Sequence, residues 1–310
     1  MDTVWDCIVV GGGAAGLSAA LALGRARRRT LVVDAGGQSN RPAHGVGGLL
    51  GHDGRPPAEL YELGRAELAA YPAVELRNGE VVAGERLREG GFELTLADGR
   101  RERARRVLLA TGMDYRPPEL PGVAQRWGRS VFHCPFCHGW EVRERPLAVL
   151  DGGQDGPRRA LLLRAWSDDV TLLTDGPAEL ADDDARRLAT LGVTVDERPV
   201  AGLRGPDASL EAVVFADGGG ELPCNGLLVP VTLHQRSPLA QQLGATTAAA
   251  GLAADAVVVA DAGLTTPVPG LSAAGDATGA MPSVANAVAA GATAAAFVVH
   301  GLMEERADGS

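Results

Sequence analysis

The sequence predicts an α/β protein of two Rossmann-like nucleotide-binding domains, the second inserted in the first. Three observations carry this. The chain opens on strand, glycine turn, helix and strand, in VWDCIVV, GGGAAG, LSAALALGRARR and TLVVDAG. The same order returns in PLAVLDGGQDGPRRALLLRAW and VTLLTDG. Around both units, short apolar strands alternate with helical stretches, as α/β domains require. The expected divisions are 1–116 for the first part of the outer domain, 117–235 for the insert and 236–310 for the return.

Each element has its own signal. Residues 4–10 are a short apolar run, hence a strand, and GGGAAG turns it into a helix. TLVVDAG is the second strand. Short strands around VEL, EVV and FELTL fill residues 74–96, broken by Gly and Asp turns. RVLLATG (106–112) is a further strand, and the proline-rich RPPELPG (116–122) reads as a hinge. In the insert, a helix over AELADDDARRLATL and strands in VTVDERPVAGL, LEAVVFADG and NGLLVPV follow the second turn. VTLHQRSPLAQQLGA (231–245) is the return crossing, AVVVADAG a strand, and the chain ends as a turn and a long helix. A mononucleotide-binding unit is thus used twice.

Composition bounds the function. The 310 residues are 45% hydrophobic, enough for two cores, and only 4% aromatic, with 42 Gly that suit close helix–sheet packing. A net charge of −10 argues against nucleic acid or an anionic membrane as the main partner. The basic run RARRR (25–29) closes a helix, where cations suit the dipole. RRERARR (100–106) reads as a solvated hairpin. No apolar run approaching a membrane span is read, and the start runs straight into a strand with no signal peptide. Four cysteines are too few for a secreted disulfide scaffold, so the expected location is the cytoplasm. Cys7 and Cys224 are expected in strands as buried small hydrophobes.

The first turn reads Gly11-x-Gly13-x-x-Gly16. The first Gly permits the tight turn, the second lets the backbone reach a pyrophosphate, and the third lets helix and strand pack. Asp34 ends the next strand 18 residues after Gly16, placed to accept from a ribose hydroxyl. Near the C-terminus, Asp276 could hold a ribityl or ribose hydroxyl, and Pro282-Ser283 starts and caps a helix. A strand–loop–helix turn without a ligand would look the same.

The second turn is degraded. Its glycine pattern would start at residue 151, which is Asp, and Asp155 adds a second carboxylate. Both would repel a pyrophosphate and crowd its approach. Thr174-Asp175-Gly176 offers no arginine for an NADP 2′-phosphate, although Asp175 could accept from an NAD ribose. The expectation is a retained fold with impaired or lost NAD(P)H binding; a divergent, working loop is the alternative.

VFHCPFCHGWE (131–141) holds the paired cysteines, Cys134 and Cys137, flanked by His133 and His138. A zinc site wants about four ligands, usually with a second pair from a distant segment, and no second CxxC or HxxxH is present in the sequence. A redox CxxC needs one thiol open to attack and one passing electrons inward. His138 could take a thiol proton near neutral pH or merely start a surface helix; His133 reads as structural.

With these pieces the chain resembles the thioredoxin-reductase-like flavoproteins over essentially its whole length. The matching stretches are GGGAAG (11–16), GGQ (36–38), ATGMDYRPPELPG (110–122), the CxxC of the insert and AAGDAT (273–278). The resemblance implies FAD at the first site, a homodimer, substrate exchange at Cys134 and Cys137 against the flavin. It also implies cofactor contacts at Ala14, Ala15, Ala35, Gly37, Gln38, Asn40, Val82, Ala110, Thr111, Gly112, Gly275 and Ala285, beside the residues above. Two departures matter: ordinary thioredoxin reductases carry an acid where this chain has His138, and an arginine-bearing NADPH motif absent at 174–178. CPFCHGWE with a degraded second site is similar to the dithiol-oxidase branch, the gliotoxin- and holomycin-type enzymes. So is NRPAHGVGGLLGHDGRPPAEL (40–60), which would border the dithiol and let His44 or His52 shape the substrate pocket.

The expected function is therefore oxidation of a small dithiol to its disulfide, electrons passing through Cys134, Cys137 and FAD to O2, with His138 handling protons. No metal is expected. The alternatives are an NAD(P)H-dependent thioredoxin or disulfide reductase and a low-turnover flavin redox sensor.

Overall fold

The computed structural model describes residues 4–216 and 218–307. The elements run β1 (Trp5–Val10), α1 (Ala14–Arg25), β2 (Thr30–Asp34), α2 (Pro57–Leu68), β3 (Val74–Asn78), β4 (Val81–Arg86), β5 (Phe92–Leu96), β6 (Arg101–Leu109) and β7 (Met113–Arg116). There follow α3 (Val123–Arg126), β8 (Val131–Phe132), α4 (Pro135–His138), a 3-10 turn (Gly139–Val142), β9 (Leu147–Leu150), α5 (Gly156–Leu163), β10 (Val170–Leu173), α6 (Asp182–Thr190), β11 (Thr194–Asp196), β12 (Val200–Arg204), β13 (Ala212–Phe215), β14 (Glu221–Pro223) and β15 (Gly226–Leu228). The chain ends with β16 (Thr232–Gln235), α7 (Leu239–Gln242), β17 (Thr247–Ala250), β18 (Ala253–Val257), β19 (Leu271–Ala273), a 3-10 turn (Gly275–Thr278) and α8 (Val284–Ala307).

Two compact units result. The first is Met1–Arg41, Arg55–Tyr115 and Thr232–Ser310; the second is Pro42–Gly54 and Arg116–Val231. The loop 42–54 therefore groups with the CxxC-bearing unit, away from its neighbours in sequence.

In the first unit the sheet runs β3-β2-β1-β6-β5-β4, and β19 also pairs with β6. The long strand β6 allows this: residues 101–104 pair antiparallel with β5, while 107–109 pair parallel with β19. The basic run at 100–106 is thus largely a sheet strand. Its arginines find carboxylates, Arg103 with Glu93 at 2.7 Å and Arg105 with Glu305 at 2.5 Å. A β17-β18-β16-β7 sheet completes the unit.

Helix α8 departs from expectation. It is long and apolar enough, by length and composition, to cross a membrane. Residues 284–303 carry no Asp, Glu, Lys or Arg, because the polar breaks are Asn286, Thr293 and His300. It docks on α1 through small residues: a Cβ on Gly291 would overlap the Ala15 backbone, and Ser18 donates to the Val288 carbonyl at 2.7 Å. Gly291, Ala294, Ala295, Val298 and Leu302 are its buried side.

The second unit has a parallel sheet β11-β10-β9-β15-β8, whose inner strands β10, β9 and β15 are buried while the edge strand β11 is largely exposed, and a small antiparallel sheet β12-β13-β14. Cys224 lies just past β14 instead of in a strand, and is 1% exposed. Arg126 is 5% exposed and donates to the carbonyls of Ser209, Gly122 and Gly205. The buried guanidinium ties the β12–β13 loop to α3.

Candidate functional site

The first turn has three residues, Gly11–Gly13, in which to reverse the chain between β1 and α1. Gly11 does so at φ +108°, where a Cβ would overlap the Ala110 carbonyl. At Gly16 a Cβ would overlap the Gly11 carbonyl and meet Ala110 Cβ at 3.4 Å, so only glycine lets α1 lie on the strand ends. Gly13 caps α1 without a side-chain bond, no acid stands in the first turn, and a Cβ there would meet only Gln38 Cγ at 3.6 Å. Open N–H groups at the head of a helix with space above them fit a pyrophosphate. Ala14 and Ala15 form that head, and a Cβ on Gly275 would stand 3.0 Å from Ala15 Cβ, which brings the 3-10 turn with Asp276 to the same place.

Asp34 ends β2 at 4% exposure. Its carboxylate accepts from the Gly36 N–H at 2.9 Å and from Gln38 Nε2 at 3.3 Å, and pairs with Arg65 of α2. A carboxylate takes about four hydrogen bonds, so a ribose hydroxyl would share it with these donors. Arg65 was not foreseen; it stands 31 residues away with no motif around it. Asn40 accepts from Tyr61 at 2.8 Å, and burial pushes the Tyr61 phenol up to about 12. Ala35 is exposed, and the Gly37 carbonyl accepts from Arg236. Beyond β6, Thr111 and Gly112 continue the strip from Ala110, with Gly112 at φ +62°. Tyr115 donates to Asp276 Oδ2 at 2.8 Å. Burial pushes the Asp276 carboxyl up, while the Tyr115 bond and Arg236 pull it down. Val82, 48% exposed on β4, and Ala285, in the first turn of α8, stand outside these contacts. Ser283 Oγ accepts from the Asn286 N–H at 3.0 Å, as a cap does, and Pro282 falls before the cap instead of opening the helix.

The second turn repeats the first with its opening glycine replaced. A Cβ on Gly156 would overlap the Asp151 carbonyl, as Gly16 would overlap Gly11. The third-glycine packing survives, and Asp151 occupies the first position. Its Oδ1 accepts from the Gly153 N–H at 2.9 Å and its Oδ2 pairs with Arg159 of α5. A carboxylate of the chain therefore holds the N–H and the cation that a phosphate would use. Asp175 sits at φ +56° and accepts from the Val200 N–H at 2.6 Å, so the candidate ribose acceptor is also engaged.

Cys134 and Cys137 form a disulfide with their Cα atoms 5.4 Å apart. Cys134 is the N-cap of α4 in extended conformation, and Pro135 starts the helix. His138 ends α4. Its Nε2 lies 3.0 Å from the Gly128 carbonyl and its ring stacks on Phe132 at 5.6 Å. Burial pushes its pKa down, against the backbone of Cys134 and Gly128, which pulls it up. A carbonyl only accepts, so Nε2 carries the proton and Nδ1 the lone pair. Nδ1 is buried and makes no hydrogen bond of ordinary geometry, while the Cys134 backbone also acts on the ring. His133 stacks on Trp127 at 5.9 Å, and burial, then the neighbouring His138, pushes it down to about 4. The 42–54 loop lies on the same turn: a Cβ on Gly47 would stand 3.1 Å from the Cys137 carbonyl oxygen. His44, exposed at the base of that loop, is among the charges felt by His138. His52 donates its backbone N–H to the Leu49 carbonyl at 2.9 Å inside the loop.

Comparison with known proteins agrees with this architecture. The family model described as pyridine nucleotide-disulphide oxidoreductase matches residues 5–291. Thioredoxin reductase tcpT of Claviceps purpurea is 30% identical over 252 residues, 78% of each chain. Thioredoxin reductase aclD of Aspergillus oryzae is 37% identical over 186 residues, 57% of this chain and 59% of its own. Among solved structures, HlmI superposes with a TM-score of 0.91 at 37% identity, covering 100% of this chain and 96% of its own. An oxidoreductase from Agrobacterium tumefaciens gives 0.90 at 34% identity, covering 97% and 99%. The resemblance drawn from the motifs is borne out at the level of the family.

Proposed function

The chain belongs to the pyridine nucleotide-disulphide oxidoreductase family, and from that premise we propose that it is an FAD-dependent dithiol oxidase that closes a disulfide in a small dithiol. The observation that carries this reading is Asp151. It fills the second phosphate cradle with the chain's own carboxylate, which disfavours NAD(P)H as the electron source.

The proposed chemistry begins with a substrate thiol giving its proton to His138. The thiolate attacks Cys134 Sγ, breaks the Cys134–Cys137 bond and leaves Cys137 as thiolate. The second substrate thiol, deprotonated in turn, attacks the mixed disulfide, forms the product disulfide and releases Cys134. The second thiol's proton passes to Cys134 as that sulfur leaves, so two electrons have then moved from substrate to the cysteine pair, with one proton on His138 and one on Cys134. Bound FAD supplies the two-electron acceptor for that pair and, with O2, an exit as hydrogen peroxide. Gly11–Gly16, Asp34 and Asp276 are the residues proposed to hold it. Cys7 and Cys224 stay outside the path, because burial pushes both thiols up to about 12.

The runner-up is an NAD(P)H-dependent disulfide reductase, favoured by the names of the fungal relatives. One experiment separates the two. FAD-loaded protein with a model dithiol is expected to consume O2 with no nicotinamide present. Rapid bleaching of the flavin by NADPH without oxygen would overturn the oxidase and support the reductase.

A further inference from the structure

His138 is a useful base only if the right nitrogen bears the lone pair, and the structure shows what selects it. The Gly128 carbonyl, 3.0 Å from Nε2, leaves Nδ1 as the acceptor. The backbone on either side of that carbonyl is held in place. Gly128 turns at φ +75° and its N–H donates to the Val131 carbonyl at 2.9 Å. The next residue, Arg129, donates from Nε to the Pro42 carbonyl at 2.9 Å and from its backbone to the Arg126 carbonyl at 3.1 Å. Pro42 also lies against Gly128, where a Cβ would stand 3.2 Å from Pro42 Cβ and 3.7 Å from the Ala43 nitrogen.

Pro42 begins the loop whose other contact is the disulfide turn, through Gly47 on Cys137. The loop is braced internally. Asp53 accepts from the Gly48 N–H at 2.8 Å, the Gly54 N–H donates to the Val46 carbonyl at 2.9 Å, and Val46 is 3% exposed. One braced loop therefore touches both the cysteine turn and the residue that orients the histidine. We propose that Arg129 and Pro42 are positioning residues: by holding the Gly128–Arg129 peptide they keep His138 in its Nε2–H tautomer, with the lone pair on Nδ1. This rests on the reading of His138 as the base. The titratable groups facing His138 are His44 of the loop, His133 of its own stretch and Glu141 of the following 3-10 turn.

Arg129 is exposed, so Arg129→Ala removes the clamp without opening a core. The test uses full-length, FAD-loaded protein with 15N-labelled histidine, the His138 signals being assigned with His138→Gln. Wild type is expected to show a protonated Nε2 and an unprotonated Nδ1 at pH 7. In Arg129→Ala the two tautomers mix. The rate of disulfide reduction by dithiothreitol then falls in proportion to the Nε2–H population, about twofold for an equal mixture, and its pH profile shifts; loss of the base itself should cost roughly a hundredfold or more. Arg129→Lys, which keeps a donor for Pro42, restores both readouts. A wild-type His138 protonated at Nδ1, or an Arg129→Ala protein with unchanged tautomer and pH profile, overturns the positioning role. A His138→Gln protein that keeps the full dithiol rate at every pH overturns the base reading instead, and the tautomer measurement still judges the clamp.

Discussion

Two histidines five residues apart in VFHCPFCHGWE have different consequences. His133 is pushed down to about 4 by burial, from an unfolded value of about 6.5. Between those values the unfolded chain binds the extra proton, so stability rises with pH. The contribution is full above about 6.5 and is lost as pH falls toward 4; a shift of this size corresponds to about 3 kcal/mol. His133→Gln should therefore lose less stability than wild type between pH 7 and pH 4 in urea unfolding, by about that amount. Parallel curves for the two proteins would show that His133 does not titrate as its burial demands. His138 adds a functional constraint to the same physics: burial pushes its pKa down and the Gly128 carbonyl engages its Nε2.

At the scale of elements, the two strand–turn–helix units are one device in two states. The first turn leaves the N–H groups at the head of α1 open, whereas Asp151 covers the Gly153 N–H and binds Arg159. Helix α1 runs 12 residues from Ala14, whereas α5 starts only at Gly156 and runs eight behind Asp155; of these differences, Asp151 is the one that occupies the turn's own N–H. Asp151→Gly should free both Arg159 and Gly153 and raise affinity for ADP-ribose or NADPH at least tenfold, about 1.4 kcal/mol, in calorimetric titration. No gain in binding by a folded Asp151→Gly protein would mean that Asp151 is not what closes the site. The sequence exposed the carboxylate at 151 but not its partners, since Arg159 lies eight residues on, in the first turn of α5, and only the folding of the turn brings it back.

At the scale of the whole molecule, the proposed route needs both cysteines but not for holding the flavin. Cys134→Ser and Cys137→Ser should each keep the bound-FAD absorbance and lose dithiol-dependent O2 uptake. Full uptake in either variant would break the proposed relay. The sequence by itself determined the two nucleotide-binding-like units, the glycine cradle at Gly11–Gly16, the disulfide pair and the damage at Asp151. Those features are local: strand, turn and helix periods and short-range spacing set them, and a few residues suffice to show each. Only the tertiary structure decided that Arg65 engages Asp34, that Tyr115 meets Asp276, and that the 42–54 loop lies on Cys137 and Gly128. These pairings join residues tens to well over a hundred positions apart. No spacing rule encodes them; they follow from how sheets and helices pack, which is fixed by the chain as a whole.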